Sequence, residues 1–351
     1  MTDYPSLKDV YKNDFRIGVA LNLNQILGLE PESTEIIARH FNSISPENVL
    51  KWDAVHPFPE VYHFDDSDRY VELGEKFNMH LVGHTLVWFY QTPGWVFTDN
   101  SGNPVKRDEL LKRMKEHIFT VMGRYKGRIH TWDVVNEAIE SDGQLRKSKW
   151  LEIIGADYIL KAFEYAHEAD PDAELIYNDF SLNKPVKRDA TIRLIKDLKA
   201  KGAKVDGIGE QGHYQLDYPE INELEESIVA FSQLGTKVMI TELDIDALPF
   251  PDQERIADIT FNFEFQKKYN PYPDGFPEEK QKVLANRYTD FFEMFCKHRD
   301  KINRVTIWGI HDGQSWCNDH PIKGRTNYPL LFDRHFKPKP AFASILKLTK
   351  K

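Results

Sequence analysis

Residues 130–138 read His130-Thr131-Trp132-Asp133-Val134-Val135-Asn136-Glu137-Ala138. Trp132, Val134 and Val135 have the bulk and branching that suit a buried, pleated strand. Gly127, just upstream, can end a helix. The strand runs into an amide and a carboxylate, Asn136 and Glu137, at its far end. An apolar strand that delivers a polar group at its carboxyl end is how barrel enzymes present catalytic side chains. A Glu taken at random is a solvated surface charge. One that follows strand-type residues and an Asn is a candidate for chemistry.

Working outward, seven more segments read as strands: residues 16–22, 41–45, 80–88, 174–179, 207–213, 237–244 and 304–312. Helical spacing fills the gaps. Leu110, Met114, Ile118, Val121 and Tyr125 fall three and four apart, with Asp108 as a candidate cap. Further helices are expected around Ile159–Ala166, Ile192–Leu198, Ile221–Leu234, Val283–Phe295 and Ala341–Lys350, the second and third of these closed by Gly202 and Gly235. Eight strands alternating with helices predict a closed parallel α/β barrel, the (β/α)₈ or TIM fold, with residues 1–351 as one catalytic unit. A doubly wound open sheet would need a glycine-rich turn after its first strand, and Gly18 alone is not one. Residues 248–279 follow the seventh strand and carry Pro249, Pro251, Pro271, Pro273 and Pro277. A connection this long is expected to be an insertion at the mouth of the barrel.

The chain has 351 residues, 41% of them hydrophobic, which is enough for a full core. Its net charge is −9 with both signs interspersed. That pattern argues against a nucleic-acid surface and against binding to an anionic membrane. No run approaches the roughly 18 apolar residues of a membrane span. The two cysteines, Cys296 and Cys317, do not make a disulfide framework. Met1-Thr2-Asp3-Tyr4 has neither the basic start nor the apolar stretch of a secretory signal. A soluble protein is expected, and the oligomeric state is left open.

Polar and aromatic residues gather at the predicted strand ends. They are Glu47, Asn48 and Lys51; His84 and Trp88; Asn136 and Glu137; Tyr177; Gln211 and His213; Glu242 and Asp244; and Trp308, with Trp316 beyond it. Active sites of this fold sit at those ends. Glu137 and Glu242 would face each other across the mouth, which suits acid/base and nucleophile chemistry on an acetal. Alternation puts Glu242 and Asp244 on one face, and likewise Gln211 and His213. A histidine between two carboxylates can stabilise the charge of one of them. Asn136 and Glu137 should face opposite ways, so both reach the site only through a bulge or sharp bend. His80 and His84 have the spacing of a helical ligand pair but lie in a strand, so no catalytic metal is expected. Trp88, Trp308 and Trp316 offer indole faces and N–H donors to a sugar ring.

Taken together, these segments resemble glycoside hydrolase family 10, the retaining endo-β-1,4-xylanases. WDVVNEA and ITELDI carry the likeness most strongly, with FNSISPENVLKW, GHTLVW, YND, GEQGHY and WGIHDGQSW beside them, over Leu7 to Ile345. The resemblance implies hydrolysis of xylan or xylo-oligosaccharides without a cofactor. It implies that Glu137 protonates the leaving oxygen and Glu242 attacks the anomeric carbon. Asn136 would bond the sugar 2-hydroxyl, and His213 would contact the nucleophile with Asp244 behind it. Glu47, Asn48, Lys51, Trp88 and Gln91 would grip sugars on the non-reducing side. His84, Gln211, Trp308 and Trp316 would wall the sugar under attack, and Tyr177 would lie towards the leaving side. Phe89, Glu210 and His311 depart from the usual pattern, which bears on subsite preference and pH optimum. A β-1,4-glucanase, or mixed xylan and glucan specificity, is the nearer alternative. A barrel that only binds xylan is the farther one, disfavoured because both glutamates are present. Xylan cannot cross a membrane, so a secreted or periplasmic mature form is expected; the alternative is a cytoplasmic enzyme acting on imported xylo-oligosaccharides.

Overall fold

The computed structural model describes residues 5–251 and 263–348. The strand-type segments form β1 (Arg16–Leu21), β2 (Ser43–Pro46), β3 (His80–Trp88), β4 (Thr131–Asn136), β5 (Glu174–Asp179), β6 (Gly207–Glu210), β7 (His213–Gln215), β8 (Lys237–Asp246) and β9 (Ile302–Ile307). They pair in parallel in the order β6-β5-β4-β3-β2-β1-β9-β8, and β6 pairs again with β8, so the sheet closes on itself. One helix from the set Pro31–His40, Asp65–Lys76, Arg107–Arg124, Tyr158–Ala169, Pro185–Ala200, Ile221–Ser232, Glu278–Lys297 and Pro340–Lys347 follows each barrel strand. The fold is a (β/α)₈ barrel. Its strands are buried along nearly their whole length, as expected where helices cover a parallel sheet.

Several element boundaries differ from the sequence reading. The expected strand 207–213 is two pieces, β6 and β7, because Gly212 turns the chain at φ +87. β7 then lies beside the upper part of β8, with His213 opposite Asp244. Phe41 and Asn42 precede β2. Asn42 ties the start of β1 instead: its side-chain oxygen accepts from the Ile17 N–H, and its own N–H donates to the Ile17 carbonyl, each at 3.0 Å. β9 stops at Ile307, and Gly309 at φ +128 carries the chain away from the sheet. Asp108 is not a cap. The helix begins after Lys106, which makes no side-chain capping bond, and Asp108 sits in the first turn, where its charge favours the helix dipole.

Close packing between neighbouring barrel strands depends on small residues. Gly83 on β3 is paired with Trp132 on β4, and a Cβ at Gly83 would stand 2.1 Å from the Trp132 ring. The insertion after β8 contributes residues 248–251 and 263–277 to the described structure; residues 252–262 lie outside it. Its far arm is anchored by Phe276 stacked on Tyr328 at 4.7 Å and by the Tyr328 hydroxyl donating to the Tyr272 carbonyl at 2.6 Å. Among the described residues, no helix is long and apolar enough to cross a membrane.

Candidate active site

The carboxyl ends of the barrel strands enclose a pocket of about 190 Å³. Glu47, Asn48, Lys51, His84, Trp88, Gln91, Asn136, Glu137, Gln211, His213, Glu242, Trp308 and Trp316 line it. Asp244 lies behind His213. Tyr177 is the residue the structure does not bring to the pocket. Its side chain is fully buried, and its hydroxyl donates to Asp179 and accepts from the Ala138 N–H at 3.2 Å. Tyr177 therefore braces the segment that carries Glu137, in place of the expected position on the leaving side.

Asn136 and Glu137 both face the pocket because the chain bends between them. The pairing of β4 shifts register against both β3 and β5, and Glu137 adopts φ +56, a left-handed conformation that non-glycine residues rarely take. Surrounding groups hold that turn. The Glu137 N–H donates to the Asn178 carbonyl at 2.9 Å, and Arg146 Nε donates to the Glu137 carbonyl at 3.0 Å. The Arg146 guanidinium rests over the Phe89 ring, 4.2 Å from its centroid. Behind the turn, Asp179 accepts from Lys187 Nζ at 2.7 Å in a fully buried ion pair.

The two carboxylates have different surroundings. Glu137 Oε2 accepts from Trp88 Nε1 at 3.0 Å, and Oε1 accepts from Gln211 Nε2 at 2.9 Å. Burial raises its carboxyl to about 7, the nearby charges of Asp179 and Glu242 push the same way, and the Gln211 and Trp88 bonds only partly oppose them. Glu242 Oε1 accepts from Asn178 Nδ2 at 2.7 Å, and Oε2 lies 3.3 Å from His213 Nε2. Burial alone would raise Glu242 as well. The His213 bond, the imidazole charges of His84 and His213 and the Asn178 amide outweigh it and hold the carboxyl below its ordinary value. His213 itself is penalised by burial, but Asp244 at 3.0 Å and Glu242 raise it to about 10, so it stays protonated at neutral pH. Asp244 also accepts from Trp316 Nε1 at 2.6 Å, fixing that indole beside the His213 ring.

Beside the carboxylates, Lys51 Nζ lies 4.9 Å from the centre of the Trp88 ring and donates to Asn48 Oδ1 at 3.1 Å. His84 Nδ1 is 2.7 Å from Asp133 Oδ2, and the His84 ring meets Trp308 edge to face. His84, Asp133 and Glu242 form a group whose ligating atoms lie within 4.8 Å of one another, the kind of group that could hold a cation. The His84–Asp133 bond and the bonds of Glu242 to Asn178 and His213 already engage it.

Asn178 is the residue that reading the sequence missed. It bonds Asn136, Glu242 and Thr241 at 3.0, 2.7 and 2.7 Å, linking the two carboxylate neighbourhoods. Its signal was available: it is the middle residue of YND at the end of β5, and alternation puts it on the face opposite Tyr177.

With the geometry in place, the likenesses to known proteins are extensive. The sequence model described as Glycosyl hydrolase family 10 matches residues 6–348. The chain is 45% identical over 344 residues to endo-1,4-beta-xylanase A of Xylanibacter ruminicola, covering 98% of this chain and 93% of the relative. It is 43% identical to an endo-1,4-beta-xylanase of Geobacillus stearothermophilus, covering 98% of each. A solved structure of a GH10 endoxylanase retrieved from a sugarcane soil metagenome superimposes with a TM-score of 0.96 at 47% identity, covering 98% of this chain and all of that one.

Proposed function

The chain belongs to glycosyl hydrolase family 10, and from that premise we propose which of its residues perform each step. It is an endo-1,4-β-xylanase that cleaves β-1,4-xylosidic bonds of xylan with retention of configuration. The observation that carries our assignment is the opposite displacement of two buried carboxyls in one pocket, Glu137 upward to about 7 and Glu242 downward. Such a split separates an acid from a nucleophile. Glu137, protonated, delivers its proton to the leaving glycosidic oxygen as Glu242 attacks the anomeric carbon and forms a glycosyl ester. Forming that ester removes the charge of Glu242, one of the influences that raise Glu137. Glu137 is then better suited to take a proton from the incoming water. Protonated His213, oriented by Asp244, keeps Glu242 ionised. Lys51, Asn48, Glu47, Trp88 and Gln91 hold sugars on the non-reducing side, while His84, Gln211, Trp308 and Trp316 surround the ring under attack.

Azide tests the assignment. Glu137→Ala should lose nearly all activity on xylan yet still form the ester from an aryl xylobioside with an acidic phenol, and azide should then yield the β-glycosyl azide. Glu242→Ala with azide should yield only the α-glycosyl azide. Reversed configurations would exchange the two roles.

We also propose that the described barrel acts as one catalytic unit and that the protein works outside the cytoplasm, since its substrate is a polymer. Fractionating the source cells tests the second point; activity confined to the cytosol would overturn it.

A further inference from the structure

We propose that Tyr90 forms a sugar-stacking platform on the rim of the pocket that binds the third xylose on the non-reducing side of the cleaved bond. The proposal rests on the catalytic reading above. Residues 88–91 read Trp-Phe-Tyr-Gln. Trp88 and Gln91 line the pocket, and the two residues between them do not. Phe89 is engaged by Arg146. Tyr90 is 47% exposed, an aromatic ring left in water directly beside the site. The ring is not loose. Its centroid is 5.6 Å from that of Trp88, inclined at 64°. Thr92 Oγ1 donates to the Trp88 carbonyl at 2.8 Å, and Gln91 turns the chain at φ +45. Among the described residues, the Tyr90 hydroxyl has no hydrogen-bond partner, so it is available to a sugar hydroxyl.

The size of the pocket gives this ring a purpose. About 190 Å³ is below the roughly 300–1,000 Å³ of sites that enclose a drug-sized ligand. A polymer cut in its interior must therefore find further grip on the rim. Tyr90 continues the wall formed by Trp88, Gln91 and Lys51, which faces the non-reducing part of the chain. A flat ring with a polar tip suits the apolar face and hydroxyls of an undecorated xylosyl unit.

The test compares phenol release from an aryl β-xylobioside and the matching aryl β-xylotrioside. In the unaltered enzyme, kcat/KM should be higher for the trioside, by about 3–10-fold if stacking supplies the gain. Tyr90→Ala should bring the trioside-to-bioside ratio to about one, mainly through KM. Tyr90→Phe and Tyr90→Trp should keep most of the gain. An unchanged ratio in Tyr90→Ala would overturn the proposal. So would an equal loss on both glycosides, which would mean that Tyr90 acts only by supporting Trp88. Failure of the unaltered enzyme to release phenol from either glycoside would overturn the catalytic assignment and the platform with it.

Discussion

The amide nitrogen of Asn178 lies 2.7 Å from Glu242 Oε1 and shares its second hydrogen with Asn136 Oδ1 at 3.0 Å. One buried side chain thus fixes the nucleophile and steadies the strand end that leads into the acid. A hydrogen bond to a charged group contributes about 1.5–3 kcal/mol. Asn178→Ala should therefore lower kcat/KM on xylan about 10–100-fold while circular dichroism stays unchanged. Full activity in a folded variant would remove Asn178 from the site's machinery.

The pH profile of kcat/KM should be a bell. Glu137 must carry its proton, and it loses that proton as pH rises through about 7, which sets the alkaline limb. Glu242 must be ionised. Held below its ordinary value, it is protonated only in stronger acid, which sets the acid limb. Asp244→Asn removes the strongest support for the proton on His213, so His213 becomes less cationic and Glu242 easier to protonate. The acid limb should then move to higher pH, with the alkaline limb little altered. An acid limb that stays in place would uncouple Asp244 from catalysis.

Gly83→Ala tests the close pairing of β3 with β4. Its new methyl would meet the Trp132 ring at 2.1 Å, with no flexible side-chain end to yield. Overpacking of this kind costs about 1–3 kcal/mol, read as a lower denaturant midpoint at unchanged slope. The unaltered chain should unfold in one transition, and two separated transitions would contradict a single catalytic unit. Unchanged stability in Gly83→Ala would mean that the Trp132 ring can move aside freely.

Much of this architecture was legible in the chain because branched and aromatic residues cluster in short runs with helical spacing between them. β1, β3, β5, β6 and β8 begin at the residues where the reading began them. What failed were choices of one residue. Tyr177 and Asn178 are both polar-tipped and adjacent at a strand end, and sequence alone does not say which parity faces inward. The reading took Tyr177, whereas it is Asn178 that bonds Glu242 and Asn136. For Asn136 and Glu137 the sequence posed the conflict and named its remedy, a bend, but the left-handed turn that supplies it rests on Arg146, Asn178 and Tyr177, each brought in from elsewhere in the chain. The Arg146 clamp also gives Phe89, a departure from the usual family pattern, a use that no local motif announces.

The turn at Glu137 has a consequence for how this protein can change over generations. A left-handed position favours glycine, and a buried carboxyl held near 7 is an expensive occupant. Selection for endurance alone would therefore erode the acid, trading it for a small neutral residue, while selection for turnover restores it. Lineages freed from the need to digest xylan should lose this glutamate early and gain robustness as they do so.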